Sequence, residues 1–170
     1  KMGIKKVVIG SRDYHSKVNG QGIKRLQEAG CEVITGILEA ECLTLNKRFF
    51  TFHLKKRPYI ILKWAQTANG FISPVIYKKK LSVLSPEEKK PFWISNNHAQ
   101  QYAHQLRTHE QSILVGTVTA QTDNPSLTAR KYFGKNPLRL LIDKELKVDT
   151  SGYLFDGLAD TVVFCEHKPG

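Results

Sequence analysis

Two arginines bracket the part of this sequence where chemistry is concentrated. Arg107 closes the pattern His104-x-x-Arg107, and Arg130 follows Asp123-Asn124-Pro125-Ser126-Leu127-Thr128-Ala129. Between them stand an apolar run, Ile113-Leu114-Val115, and the turn Gly116-Thr117-Val118-Thr119. A guanidinium is a planar fork of N–H donors that matches a phosphate. Taken alone, Arg107 has a plainer reading as a cation in the last turn of a helix, worth ~0.3–1 kcal/mol. Two arginines flanking a strand and a Gly/Thr turn point further, to a pocket for a phosphorylated ligand beside a second nucleotide. A helix opening after Gly116 would add free N–H groups facing a phosphate. The G-x-G-x-x-G pattern is absent, so a Rossmann site is not supported. Thr119 and Asp123 have a plain reading as helix-end and turn residues. In the functional reading, Asp123 binds a ribose or polarises a substrate group.

Lys63 lies inside the apolar run Tyr59-Ile60-Ile61-Leu62-Lys63-Trp64-Ala65. A lysine there needs a partner or a function unless its ammonium reaches solvent at a sheet edge. The functional alternative is a proton donor or an electrostatic anchor for a ligand. His98, His104 and His109 stand six and five residues apart. Neither gap is the i, i+4 spacing that places two ligands on one helix face, so they read as helix-surface histidines and no metal site is expected.

The elements that must position these residues follow from periodicity. Lys6–Gly10 reads as a buried strand, 22–29 as a helix ended by Gly30, Cys31–Thr35 as a strand and Glu39–Asn46 as a short helix. This β-α-β-α order implies a parallel pair under helices. Phe49–Arg57 turns basic and irregular, and a boundary is expected there. Tyr59–Ala65 is expected as a strand, with Asn69-Gly70 turning into a return strand at Phe71-Ile72. Residues 74–91 read as a Lys-rich surface insertion. Ser95-Asn96-Asn97 supplies an N-cap for a helix over Asn97–Thr108. Strands follow at Ser112–Gly116, Leu138–Asp143 and Thr161–Cys165.

Composition sets wider bounds. With 41% apolar residues, the 170-residue chain can bury a core and is not a disordered segment. Its formal net charge of +11 favours anionic partners such as nucleic acid, anionic membrane or phosphorylated metabolites. The Lys55–Arg57, Lys78–Lys80 and Lys89–Lys90 runs read as solvated faces. Three cysteines without close spacing, Cys31, Cys42 and Cys165, argue against a disulfide framework or a zinc site and for a reducing, cytoplasmic setting. No apolar run approaches the ~20 residues needed to span a bilayer. Both ends of the chain read as cuts through a longer protein.

The residues together resemble a known family, the bifunctional riboflavin-biosynthesis proteins that join a pyrimidine deaminase to an aminouracil phosphoribosyl reductase. The resemblance is carried by Gly20-Gln21-Gly22-Ile23, Gly36-Ile37-Leu38-Glu39, Arg57-Pro58-Tyr59, Leu62-Lys63-Trp64-Ala65, Trp93-Ile94-Ser95, His104 with Leu106-Arg107, and Ile113-Leu114-Val115-Gly116. It continues through Thr119, Asp123 to Thr128, Arg130, Pro137, Arg139 and Asp143. It implies an α/β chain with two partial modules. Residues 1–50 would be the C-terminal β-α-β-α piece of a cytidine-deaminase-like domain, without that domain's zinc-binding motifs. Residues 57–170 would be the first part of a reductase domain with a dihydrofolate-reductase-like fold. The implied reaction is NADPH-dependent reduction of the ribosyl group of 5-amino-6-(5-phosphoribosylamino)uracil to ribityl. Carried over position by position, Lys63 and Asp123 would act at the reacting centre. Ala65, Trp93, Thr119 and Asp123 would bind NADPH, and Arg107, Leu127 and Arg130 the phosphorylated substrate. Two positions depart from the family pattern. Thr67-Ala68-Asn69-Gly70 replaces a Ser-Leu-Asp-Gly turn, and Pro91 stands where a substrate-contacting serine is expected.

Two other readings compete. A basic nucleic-acid-binding module would use the lysine runs with Tyr59, Trp64, Phe92 or Trp93, but the lysines are not interleaved with these aromatics. A non-catalytic, dimer-forming piece is the third. The leading reading expects a phosphorylated aminouracil ribosyl substrate, no nucleic acid or membrane partner, and a homo-oligomer.

Overall fold

The computed structural model describes residues 3–15, 17–72 and 93–166. The chain forms two compact units, Lys1–Lys63 and Trp64–Gly170.

The first unit runs β1 (Lys6–Ile9), α1 (Gln21–Glu28), β2 (Glu32–Thr35), α2 (Glu39–Leu45) and α3 (Lys47–Lys55). β1 and β2 pair in parallel, with Val7 opposite Val33 and Val8 opposite Ile34, as the β-α-β-α pattern requires. α1 stops where Gly30 enters the left-handed region at φ 82°. Gly10 follows β1 because nothing larger fits. A Cβ there would stand 2.1 Å from Cys42 Sγ. The expected irregular stretch at Phe49–Arg57 is instead mostly helical, as α3. Its charges obscured a local aromatic face: Phe50 is buried, edge-on to Tyr14 at 5.8 Å between centroids and to Phe49 at 5.5 Å.

In the second unit, α4 (Asn97–His109) precedes β3 (Ser112–Gly116), α5 (Thr117–Asp123), β4 (Leu138–Ile142), a short 3-10 turn (Tyr153–Phe155) and β5 (Thr161–Phe164). The three strands form a parallel sheet in the order β3-β4-β5. The period of two sends Ile113, Val115, Leu141 and Val163 to one face. There they pack with Ala120, Leu127, Leu154, Val148 and Phe155 as the core. Asp143, just past β4, is buried and locks the entry to α5. It accepts from Thr117 Oγ1 at 3.0 Å and from Val148 N at 2.8 Å.

Two expected strands differ. Tyr59–Ala65 carries no strand pairing, and Ile60, Leu62 and Trp64 are exposed. Apolar β-branched residues favour a strand only where a neighbouring edge receives them, and no described strand does so here. The turn after it does form. Gly70 has φ 90°, and Thr67 N donates to Phe71 O at 2.8 Å, but Phe71-Ile72 does not continue as a strand. The expected insertion at 74–91, Pro91 included, lies outside the described residues.

Candidate functional site

The site is assembled by α4 and the loop between α5 and β4. Asn96 caps α4, its Oδ1 accepting from Ala99 N at 2.9 Å, as the Ser-Asn-Asn sequence predicts. The helix then turns a polar stripe, Gln100, His104, Arg107 and Thr108, toward the loop; spacings of three and four keep these side chains on one face. Arg107 Nη1 donates to Thr128 O at 2.7 Å. His104, only 3% exposed, has Lys131 N donating toward its Nδ1 at 3.5 Å. Gln100 Oε1 accepts from Lys131 Nζ. Thr108 lies so close to Gly134 that a Cβ there would stand 2.7 Å from Thr108 Cβ.

The loop is shaped from its own side as well. α5 ends at Asn124 in the left-handed region, φ 39°, and Asn124 Oδ1 accepts from Tyr153 N at 2.9 Å. Leu127 also takes positive φ, 53°, and is buried in the core. Arg130 Nη1 donates to Ser126 Oγ, whose own Oγ lies 3.0 Å from Thr128 Oγ1. Ala129 N donates to Asn136 Oδ1 at 2.9 Å. From below, the fully buried Arg139 of β4 donates to Ser126 O at 3.2 Å, to Tyr153 O at 2.7 Å and, through both terminal nitrogens, to Asp156 Oδ1 at 3.0 Å.

Electrostatics follow from this crowding. Burial, then the neighbouring Arg130, lowers the pKa of the Arg107 guanidinium. Burial, then Arg107, Arg130 and Lys131, brings His104 down to about 4, so the imidazole is neutral near pH 7. Among the described residues no carboxylate forms an ion pair with Arg107, Arg130 or Lys131. Three cations thus gather around one loop, with no anionic partner among the described residues.

The predicted residues divide accordingly. Arg107, Leu127 and Arg130 meet at the loop: two as side chains over it, and Leu127 as the buried pin that sets its backbone. Trp93 is 59% exposed, with Lys131 Nζ 6.0 Å from its ring centroid, and so joins the same edge. Thr119 and Asp123 lie one turn apart on exposed positions of α5. Partial burial raises the pKa of the Asp123 carboxyl. Lys63 is exposed in an extended stretch of the first unit, and Ala65 is half-buried near the start of the second. The Gly116 turn does not offer the phosphate site expected of it. α5 is a seven-residue helix, and the carboxylate of Asp143 already stands against Thr117 at its start.

His104 departs from the expected surface histidine. Its partner is not a second histidine at i+4 but a backbone N–H of a loop more than twenty residues away. Gln100, Lys131, Asn124, Asn136 and the Arg139–Asp156 pair were likewise not foreseen as parts of this site. The polar stripe on an otherwise Ala- and Leu-bearing helix was their one sequence signal. Among the described residues no group of three or more His, Cys, Asp or Glu side chains is placed to hold a metal ion. None of their helices is long and apolar enough to cross a membrane.

Comparison with known proteins places the chain in a family. A family described as the RibD C-terminal domain matches residues 58–169. The riboflavin biosynthesis protein RibD of Aquifex aeolicus is 39% identical over 150 residues, covering 88% of this chain and 39% of that protein. RibD of Bacillus amyloliquefaciens is 39% identical over 166 residues, covering 96% of this chain and 42% of that protein. The crystal structure of a Thermotoga maritima diaminohydroxyphosphoribosylaminopyrimidine deaminase/5-amino-6-(5-phosphoribosylamino)uracil reductase superposes with a TM-score of 0.82 at 35% identity, over 98% of this chain and 44% of that one. The chain thus spans about two fifths of the length of these curated relatives. With its α/β fold, it belongs to the RibD C-terminal domain family.

Proposed function

We propose that this chain carries part of a reductase that converts the ribosyl group of 5-amino-6-(5-phosphoribosylamino)uracil to ribityl, with NADPH as reductant. The observation that carries the reading is the meeting of Arg107 and Arg130 at the Ser126–Arg130 loop. The two guanidiniums repel, since Arg130 disfavours the charged form of Arg107, and an anion between them would offset this. A sugar phosphate supplies that anion, and the forked donors fit its oxygens. Trp93, Thr119, Asp123 and Ala65 suit a nicotinamide nucleotide in part. They offer a ring face, a hydroxyl, a carboxyl and a small neighbour, while the nearby Lys131 adds a cation. NADPH supplies the hydride.

In the overall reaction, the sugar's C1–O4 bond breaks, hydride adds to C1 and a proton goes to O4. The arginines fix the phosphate end so that C1 returns to one place. Asp123, its carboxyl raised by partial burial, holds a proton to higher pH than a solvated aspartate and is the candidate to orient a sugar hydroxyl. Lys63 is the candidate cation of the reacting centre. Residues 1–50 we assign to the end of a deaminase module and 57–170 to the reductase. A cytoplasmic, homo-oligomeric enzyme without nucleic-acid or membrane partners completes the proposal.

The test is NADPH oxidation by the full chain, given the deaminated substrate, beside Lys63→Ala, Arg107→Ala and Arg130→Ala. We expect Lys63→Ala to abolish turnover. Each arginine variant should raise KM by about 10–100-fold, the weight of a charge-assisted hydrogen bond. Folded, inactive wild type with verified substrate would overturn the reading.

A further inference from the structure

We infer that His104 is the positioning residue of the phosphate-binding loop: its buried imidazole ties α4 to the Lys131 backbone beside Arg130 and so, with Arg107 on Thr128 O, aims both guanidiniums at one anion. This rests on the reading of the two arginines given above and extends it to a residue with no ligand contact of its own.

The geometry makes the argument. His104 is buried beneath the loop, and its Nδ1 accepts from Lys131 N at 3.5 Å. Arg107, one turn further along the same helix, donates to Thr128 O, so the histidine and the arginine hold one short loop segment from the same helix face. Lys131 N directly follows Arg130 in the chain. Holding that N–H therefore fixes where the Arg130 side chain leaves the backbone. Arg130 in turn reaches Ser126 Oγ. One imidazole thus sets the register of both guanidiniums. A cation in its place would add a fourth positive charge to Arg107, Arg130 and Lys131. A purely apolar side chain would leave the Lys131 N–H without its acceptor on α4. An uncharged ring with one donor and one acceptor meets both needs.

The experiment is steady-state kinetics of the full chain with NADPH and two substrates, the phosphorylated aminouracil ribosyl compound and the same compound without its phosphate. Wild type, His104→Ala, His104→Gln and Arg107→Ala are compared. We expect His104→Ala to raise KM for the phosphorylated substrate by about tenfold, the loss of hydrogen bonds to a charged site. Its kcat, and kcat/KM for the phosphate-free compound, should stay near wild type. Gln, which retains a donor and an acceptor, should restore most of the lost affinity. If alanine prevents folding, the Gln variant carries the same comparison, with a smaller but still phosphate-selective rise in KM. Equal losses with both substrates would show a merely structural histidine and overturn the inference, as would no change in either. A phosphate-selective Arg107→Ala beside a silent His104→Ala fails this inference alone. An Arg107→Ala without phosphate selectivity fails the arginine reading beneath it as well.

Discussion

Arg139 offers the sharpest test of how the loop is held. Its guanidinium is 0% exposed. It donates to three backbone carbonyls, Ser126, Tyr153 and Ala159, and doubly to Asp156 Oδ1. Its Nε is buried without a partner among the described residues. Replacement by methionine preserves bulk and apolar packing along β4 but strands these acceptors. Hydrogen bonds to a charged group contribute ~1.5–3 kcal/mol each, yet they share one side chain and do not add. Breaking a buried pair by removing one partner costs ~3–5 kcal/mol, which sets the scale. The Asp156 side chain keeps 19% of its surface and can rehydrate, so the low end of that range applies, ~3 kcal/mol. In urea, with a slope of ~2 kcal/mol/M, the unfolding midpoint of the second unit should fall by ~1.5 M. Arg139→Met with Asp156→Leu should recover part of the loss, because no unpaired charge is left behind. A midpoint within ~0.3 M of wild type for Arg139→Met would refute the reasoning. It would mean that water replaces the guanidinium at little cost and that the loop's anchor lies elsewhere.

The remaining predictions concern close contacts and protons. Gly10→Ala places a methyl 2.1 Å from Cys42 Sγ and should destabilise the first unit by ~1–3 kcal/mol. Cys42→Ala in the same chain should relieve part of this, read as a recovered thermal midpoint. Gly134→Ala meets Thr108 at 2.7 Å and a φ of 146°. It should displace the loop from α4 and raise KM for the phosphorylated substrate while leaving the first unit's unfolding unchanged. The third concerns acid. The folded-state pKa of His104 is about 4, below its ordinary 6.5, so the unfolded chain binds its proton first. Stability should therefore fall as pH drops from 6.5 to about 4, by up to ~3 kcal/mol from this group, and His104→Gln should flatten that slope. Below that window Asp143 acts in the same direction. Burial alone would raise its pKa, but hydrogen bonds from Val148, Lys147 and Thr117 hold it below the ordinary carboxylate value. Its contribution is therefore lost as it protonates. Urea titrations across pH check both, and identical slopes in wild type and His104→Gln would refute the first.

The parts of this fold legible in the sequence are those where a local pattern and its tertiary partner agree. β3, β4 and β5 are short apolar runs that find each other in register, and α4 announces itself with an Asn cap and a period of 3.6. Tyr59–Ala65 has the same strand chemistry but no described partner, and pairing is decided by the neighbour as much as by the residue. α3 was hidden by its lysines, although Phe49, Phe50 and Phe52 share the segment; charge was read as irregularity where it was only the solvent face of a helix. At the site, the two arginines that flank the strand and turn do reach one loop, and the phosphate role proposed for them rests on guanidinium chemistry. His104 gave no such signal, because a histidine's role depends on what its nitrogens meet, and here Nδ1 meets a backbone N–H far along the chain.

That asymmetry has a physical source. Ligand-facing residues are constrained by the ligand, which a sequence pattern can evoke. The residues that aim them are constrained by burial and by backbone groups whose position only folding creates. Loop Asn124–Arg130 makes the point residue by residue. Two positive-φ positions, Asn124 and Leu127, bend it, and neither is a glycine. Such strain persists only where surrounding contacts over-determine the conformation. Those contacts are Asn124 to Tyr153 N, Leu127 in the core, Arg139 below and His104 with Arg107 above. A loop pinned at this many points holds its cations still before an anion arrives, so little ordering entropy is lost on binding. The repulsion among Arg107, Arg130 and Lys131 is then a standing cost of the free protein. On the proposed reading, a dianionic phosphate would relieve it and a neutral sugar would not.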